Sequence, residues 1–122
     1  MTDAFKLPKD TPEGKATRRE AIQKAMIGAA DVPLDVARRC ARILDLASLV
    51  VEMGNPNTLS DAGCGARFVH AALHGALFNV RINLGSIKDE AYVTKVTAEV
   101  NQLAARAETS LARVLTVVDA GL

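Results

Sequence analysis

The chain is 122 residues long, 49% apolar, 24% charged and 3% aromatic, and its 15 Lys and Arg against 14 Asp and Glu leave a formal net charge of +1. That length suits one domain with a modest core, and the near balance of charge disfavours a nucleic-acid-binding footprint. The uncharged runs at 62–66 and 68–80 are too short, and too rich in Gly and His, to cross a bilayer. Two cysteines make no disulfide framework and no apolar signal core follows Met1, so a cytoplasmic protein with reduced thiols is expected.

Residues 1–12 carry two prolines and alternate in polarity, which reads as an extended lead-in anchored by Phe5 and Leu7. At Thr11-Pro12-Glu13 a hydroxyl acceptor precedes a proline whose missing N–H costs nothing at the first helical position, and an acid follows at the positive end of the dipole. A first helix is predicted from there to about Ala30, with Ala21, Ile22, Ala25, Met26 and Ala29 on one stripe and Lys15, Arg18, Arg19 and Glu20 solvated. Pro33 then opens a second helix capped by Asp31, in which Leu34, Ala37, Ala41, Leu44, Ser48 and Val51 repeat at helical spacing. A second apolar row, Val36, Cys40, Ile43, Ala47 and Val50, flanks them, so this helix is expected to be covered on well over one side, near the middle of a bundle, and Gly54 is the expected C-terminal stop.

The link from Asn55 to Asp61 is turn-rich and ends in a Ser or Thr cap, with Asp61 in the first turn of a third helix reaching about Leu84. Gly85 and Ser86 break the chain, and Lys88-Asp89-Glu90 leads into a last helix. Its seam, from Val93 and Val96 through Leu103, Ala107 and Leu111 to Val118, repeats in a heptad-like manner to near the C-terminus. The prediction is an all-α domain over 1–122, an antiparallel up-and-down bundle of about four main helices.

The third helix is where chemistry is sought. Ala62, Gly63, Gly65, Ala66, Ala71, Ala72, Gly75 and Ala76 are small, although glycine inside a helix costs about 1 kcal/mol relative to alanine. Tight helix packing is favoured over a ligand groove from composition alone, and both can hold on different faces. Gly75, Asn79 and Asn83 share one face. Two stacked amides beside a glycine gap suit a flat polar heterocycle, and pairing with a neighbouring helix or with backbone carbonyls is an equal alternative. His70 and His74 have the spacing of a metal clamp that still needs a third ligand; with no His-Glu-x-x-His signature and no further histidine, they are read as structural or surface residues and no metal is expected. Cys64 is read as a small buried apolar residue rather than a nucleophile.

Four stretches in register point further: Leu7-Pro8-Lys9-Asp10-Thr11-Pro12-Glu13; Val32-Pro33-Leu34; Gly54-Asn55-x-Asn57-x-x-Ser60-Asp61; and Phe78-Asn79-Val80-x-Ile82-Asn83-Leu84. Together they resemble the cyclodeaminase/cyclohydrolase family of folate one-carbon metabolism. The resemblance is to the family's C-terminal part, because the helix carrying the Asp regarded as catalytic in the family has no counterpart before Leu7 and Pro8. It implies an all-helical domain that dimerises and handles a tetrahydrofolate derivative with no metal or other cofactor. Two reactions are implied as alternatives: hydrolysis of 5,10-methenyltetrahydrofolate, or closure of 5-formiminotetrahydrofolate with loss of ammonia. Both pass through a tetrahedral carbon between N5 and N10. Carried onto matching positions, the resemblance makes Asp61 the acid or base or a pterin-orienting group, Asn79 and Asn83 partners of the pterin edge, and Gly54, Asn55, Asn57 and Ser60 the lining of the mouth.

An alternative from another class is a catalytically silent helical dimer or scaffold, with the small-residue face of the third helix as interface. Arg38, Arg39 and Arg42, or Lys15, Arg18 and Arg19, can attract the anionic glutamate tail of a folate, although such clusters are usually solvated faces.

Overall fold

The computed structural model describes residues 2–122. After a single helical turn, α1 (Thr2–Phe5), come three long helices, α2 (Pro12–Met53), α3 (Leu59–Leu84) and α4 (Glu90–Gly121), with a short 3-10 turn at Pro56–Thr58. The protein is all-helical, and no strand occurs among the described residues.

The main departure from the sequence reading is at Pro33, where the two helices expected on either side of it are one helix of 42 residues, about 63 Å long at 1.5 Å per residue. Asp31 therefore caps nothing; its carboxylate accepts the Tyr92 hydroxyl of α4 at 2.6 Å. A proline inside a helix leaves the carbonyl one turn earlier without its donor. Here that carbonyl belongs to Ala29, and Asn83 of α3 donates its Nδ2 to it at 3.3 Å. Burial of Leu34, Ala37, Ala41 and Leu44 just beyond the proline further offsets its cost.

Hydrogen-bonded partners show how the helices lie. Asp31 with Tyr92, Arg38 with Glu99 and Asp45 with Arg106 are each 61 residues apart, so α2 and α4 advance together. Asn83 meets Ala29, and Gly63 sits against Val118, so α3 runs back against both. The core lies where the three meet, with Leu34 and Leu44 of α2, Leu73 and Leu77 of α3 and Val100 and Val114 of α4 fully buried. The heptad-like seam of α4 is this buried stripe.

The helix ends follow local chemistry. Thr11 accepts the Gly14 N–H at 2.9 Å and Asp89 accepts that of Tyr92 at 3.1 Å, so α2 and α4 are side-chain capped. Thr58 precedes α3 without capping it; its hydroxyl donates to the Asn55 carbonyl at 2.8 Å. Gly54 does not stop α2 by a left-handed turn, since its φ is −88°. A Cβ there would collide with the Val50 carbonyl, so close backbone approach selects glycine. The α3–α4 turn is held by Gln23, whose amide donates to the Ser86 carbonyl at 3.1 Å and accepts the Lys88 N–H at 2.8 Å. At the N-terminus the expected extended lead-in begins as the α1 turn, and Phe5 lies under the Arg18 guanidinium at 5.6 Å, so Arg18 is half-buried rather than solvated.

Candidate functional site

The small residues of α3 divide between two faces. A Cβ on Gly63 would lie 3.1 Å from Val118 of α4, so this glycine permits close packing. Gly65 and Gly75 have nothing within 4 Å of the same position and face outward. The outward face joins α2 in an open groove of about 470 Å³ lined by Ala29, Val32, Pro33, Val36, Ala72, Ala76, Asn79 and Asn83. Small side chains on α3 and the proline on α2 leave this space.

Both asparagines of the predicted pterin edge are in that groove, and their amides are turned to backbone. Asn79 donates to the Gly75 carbonyl at 3.3 Å; Asn83 donates to Asn79 O at 2.9 Å and to Ala29 O at 3.3 Å. No protein donor reaches either Oδ1 among the described residues, so both acceptors remain for a ligand with N–H groups.

The remaining predicted residues lie at the far end of α3. Asn55 accepts the Asn57 N–H at 2.9 Å and shapes the loop after Gly54. Ser60 and Asp61 are exposed in the first turn of α3. Eighteen residues of helix separate Asp61 from Asn79, roughly 27 Å along the axis. The chain therefore gathers its candidates into two groups, one in the groove and one at the loop, and does not bring them to a common point.

An apolar surface surrounds the groove. Phe68, Phe78 and Ile82 of α3 are 77%, 66% and 74% exposed, and Val32, Val36, Ile43 and Val50 of α2 form an exposed stripe beside them. Exposed apolar side chains of this size are of the kind that interaction faces bury. The second apolar row expected to be covered on α2 is largely this stripe, and only Cys40 of that row is buried.

Of the two basic clusters, the one on mid-α2 is largely consumed by ion pairs. Arg38 binds Glu99 through two nitrogens, each at 2.8 Å, and Arg39 binds Asp35 at 2.9 Å. The Arg38 hydrogen bonds hold the Glu99 carboxyl below its ordinary range. Lys15, Arg18 and Arg19 are joined by Lys9 around a second depression, and among the described residues the buried Arg18 Nε has no hydrogen-bond partner. Cys64, expected to be buried, is exposed; Cys40 is the buried cysteine, and burial raises its thiol pKa. His70 and His74 both reach Glu108 of α4, which the sequence reading missed because Glu108 lies 38 and 34 residues further along the chain.

The fold thus defines an all-helical protein whose α2–α3 face presents an asparagine-lined groove within an apolar surface. The family model described as formiminotransferase-cyclodeaminase matches residues 1–102. A methenyltetrahydrofolate cyclohydrolase from Methylorubrum extorquens is 41% identical over 104 residues, covering 85% of this chain and 50% of that protein. A formimidoyltransferase-cyclodeaminase from Gallus gallus is 35% identical over 117 residues, covering 96% of this chain and 22% of that protein. Among solved structures, a formiminotetrahydrofolate cyclodeaminase from Thermotoga maritima superposes with a TM-score of 0.82 at 28% identity, covering 96% of this chain and 56% of that one. The chain belongs to the formiminotransferase-cyclodeaminase family. It spans about half the length of the cyclohydrolase it matches, and 22% of the Gallus gallus formimidoyltransferase-cyclodeaminase.

Proposed function

We propose that this chain provides the C-terminal part of a folate one-carbon enzyme that hydrolyses 5,10-methenyltetrahydrofolate, with deaminative closure of 5-formiminotetrahydrofolate as the second reading. The observation that carries it is the 41% identity to the methenyltetrahydrofolate cyclohydrolase, higher than the 35% to the vertebrate formimidoyltransferase-cyclodeaminase. In hydrolysis, water adds to the carbon bridging N5 and N10, and the bond to N5 then breaks with a proton delivered to that nitrogen, leaving the 10-formyl product. In the second reading N10 attacks the formimino carbon and the tetrahedral adduct expels ammonia. Each needs a proton carrier beside the bridging carbon and acceptors for the pterin N–H groups.

In this reading Asn79 and Asn83 offer Oδ1 acceptors to the pterin edge, and Lys9, Lys15, Arg18 and Arg19 attract the carboxylates of the glutamate tail. Asp61 is the acid or base, with Gly54, Asn55, Asn57 and Ser60 lining its approach. Because Asp61 and Asn79 stand roughly 27 Å apart on one helix, they serve one substrate only if a second polypeptide surface brings an Asp61 region to an Asn79 groove. The exposed stripe from Val32 to Val50, with Phe68 and Phe78, supports that association. We take the working unit to be a cytoplasmic dimer of up-and-down bundles, acting on folate without nucleic acid or membrane. No helix among the described residues is long and apolar enough to cross a membrane.

The test is the decay of methenyltetrahydrofolate absorbance, corrected for the spontaneous rate, together with ammonia release from the formimino substrate. Both are measured with the chain alone and with a polypeptide matching the half of the cyclohydrolase it does not span. Protein-dependent decay supports hydrolysis, and ammonia release supports the second reading. Neither, in either mixture, would leave the catalytically silent dimer. Asn79→Leu should weaken folate binding about tenfold, the scale of one or two lost hydrogen bonds, with helicity unchanged; unaltered binding would remove Asn79 from the site.

A further inference from the structure

On the side of α3 that faces α4, away from the groove, three side chains of ligand type converge. His70 and His74 stand one helical turn apart, and Glu108 of α4 places one oxygen, Oε1, 2.6 Å from Nε2 of His70 and 2.8 Å from Nε2 of His74. The three donor atoms all lie within 4.8 Å of one another. The imidazoles meet edge to face, with ring centroids 4.6 Å apart and planes inclined by 64°, so the two nitrogens point to one spot instead of stacking past each other.

We propose that His70, His74 and Glu108 form a binding site for a divalent first-row transition ion, zinc in the first instance, that pins α3 to α4. Two imidazoles and one carboxylate are a donor set that zinc accepts, leaving a fourth position for water. With bonds of about 2.0–2.1 Å, tetrahedral donors lie roughly 3.3 Å apart. The present separations of 2.6 and 2.8 Å must therefore widen by roughly 0.5–0.7 Å, while the two imidazole nitrogens, which lie within 4.8 Å of each other, settle to the same spacing. Glu108, a long side chain exposed to 61%, can supply the first movement, and the histidines, exposed to 23% and 28%, have room for the small side-chain rotations that the second requires. Without the ion each Nε2 carries the hydrogen donated to Glu108. On binding, each imidazole keeps its proton on Nδ1 instead, and the ion takes the place of the two shared hydrogens, with no change in the charge of the ligands. Because the carboxylate comes from another helix, the complete site exists only in the folded chain, so the ion stabilises the fold.

The experiment is calorimetric titration of zinc chloride into the chelator-stripped chain at neutral pH, paired with thermal melting with and without the ion. One zinc per chain and a raised Tm are expected. Glu108→Gln and His74→Gln, both at partly exposed positions, keep the helical signal in circular dichroism. Loss of an outer-shell partner alone weakens metal sites about 10–100-fold, so each variant should lose at least that much affinity and the Tm rise, while Cys64→Ser should lose neither. Absence of saturable zinc binding would overturn the proposal. So would affinity that survives Glu108→Gln, or that falls with Cys64→Ser.

Discussion

Gly63 and Gly75 sit on the same helix and differ only in what faces them. Gly63 lies against Val118 with no room for a larger side chain, whereas Gly75, one turn before Asn79, faces open space with nothing within 4 Å of where a Cβ would be. The pattern repeats along α3: Leu73, Leu77 and Val80 are fully buried on the inner face, and Phe68, Phe78 and Ile82 are exposed on the outer one. The same vocabulary of small and apolar residues thus closes one interface and leaves another open. The closed face specifies the bundle, and the open face is the region on which the proposed folate chemistry depends.

Breaking the closed face should have the largest effect. Leu77→Ala, at a position without solvent exposure, should cost about 2–5 kcal/mol in a denaturant titration, while Phe78→Ala on the open face should leave the midpoint nearly unmoved. The two glycines sharpen the contrast. Gly63→Val should destabilise by about 1–3 kcal/mol through overpacking against Val118. Gly75→Ala should stabilise the isolated chain by about 0.5–1 kcal/mol, because it gains helix propensity and meets nothing; a loss of stability there would mean that the face is already covered in solution.

Asn83 joins the two regions. Asn83→Ala should cost about 0.5–1.5 kcal/mol because the Ala29 carbonyl loses its donor. In a Pro33→Ala background, where a backbone N–H is restored one turn later, that cost should shrink, and the coupling is read from a double-mutant cycle. The smallest effect concerns pH. Burial pushes the Asp45 carboxyl up, but donation from Arg106 and Ser110 prevails and holds it below its ordinary 3.8. A carboxyl depressed by folding contributes stability above its unfolded pKa, and that contribution is lost as pH falls through the lower folded value. Stability should therefore decline on acidification below about pH 4, and Asp45→Asn should flatten part of that decline. Both partners are well exposed, so the change is a fraction of the whole.

Much of the closed face was legible in the chain. The repeats through Leu34, Leu44 and Val51 and through Val96, Leu103 and Val114 are buried as their spacing predicts. Periodicity reports which side of a helix is apolar, and that is decided locally. Pro33 was misread for the same reason: the local rule says that proline ends a helix, and the donor that relieves Ala29 comes from Asn83, 54 residues further along.

The candidate site was legible as residue types but not as positions. Asn79 and Asn83 were correctly placed on one face, because four-residue spacing settles that. Their distance from Asp61 follows from α3 being one uninterrupted helix, which separates residues that the family resemblance assigned to one site. Whether Gly75 marks close packing or an open face depends on what stands opposite it.

The sequence by itself determined the helical class, the helix cap at Thr11, the apolar stripes and the family, since these depend on residues within a turn or two of one another or on motifs in order. Only the tertiary structure decided that α2 runs unbroken through Pro33, that Cys64 is exposed, that Arg38 is consumed by Glu99, and that His70 and His74 share Glu108. Each of these is a meeting between helices, and side chains a turn apart carry no record of what a neighbouring helix sets against them.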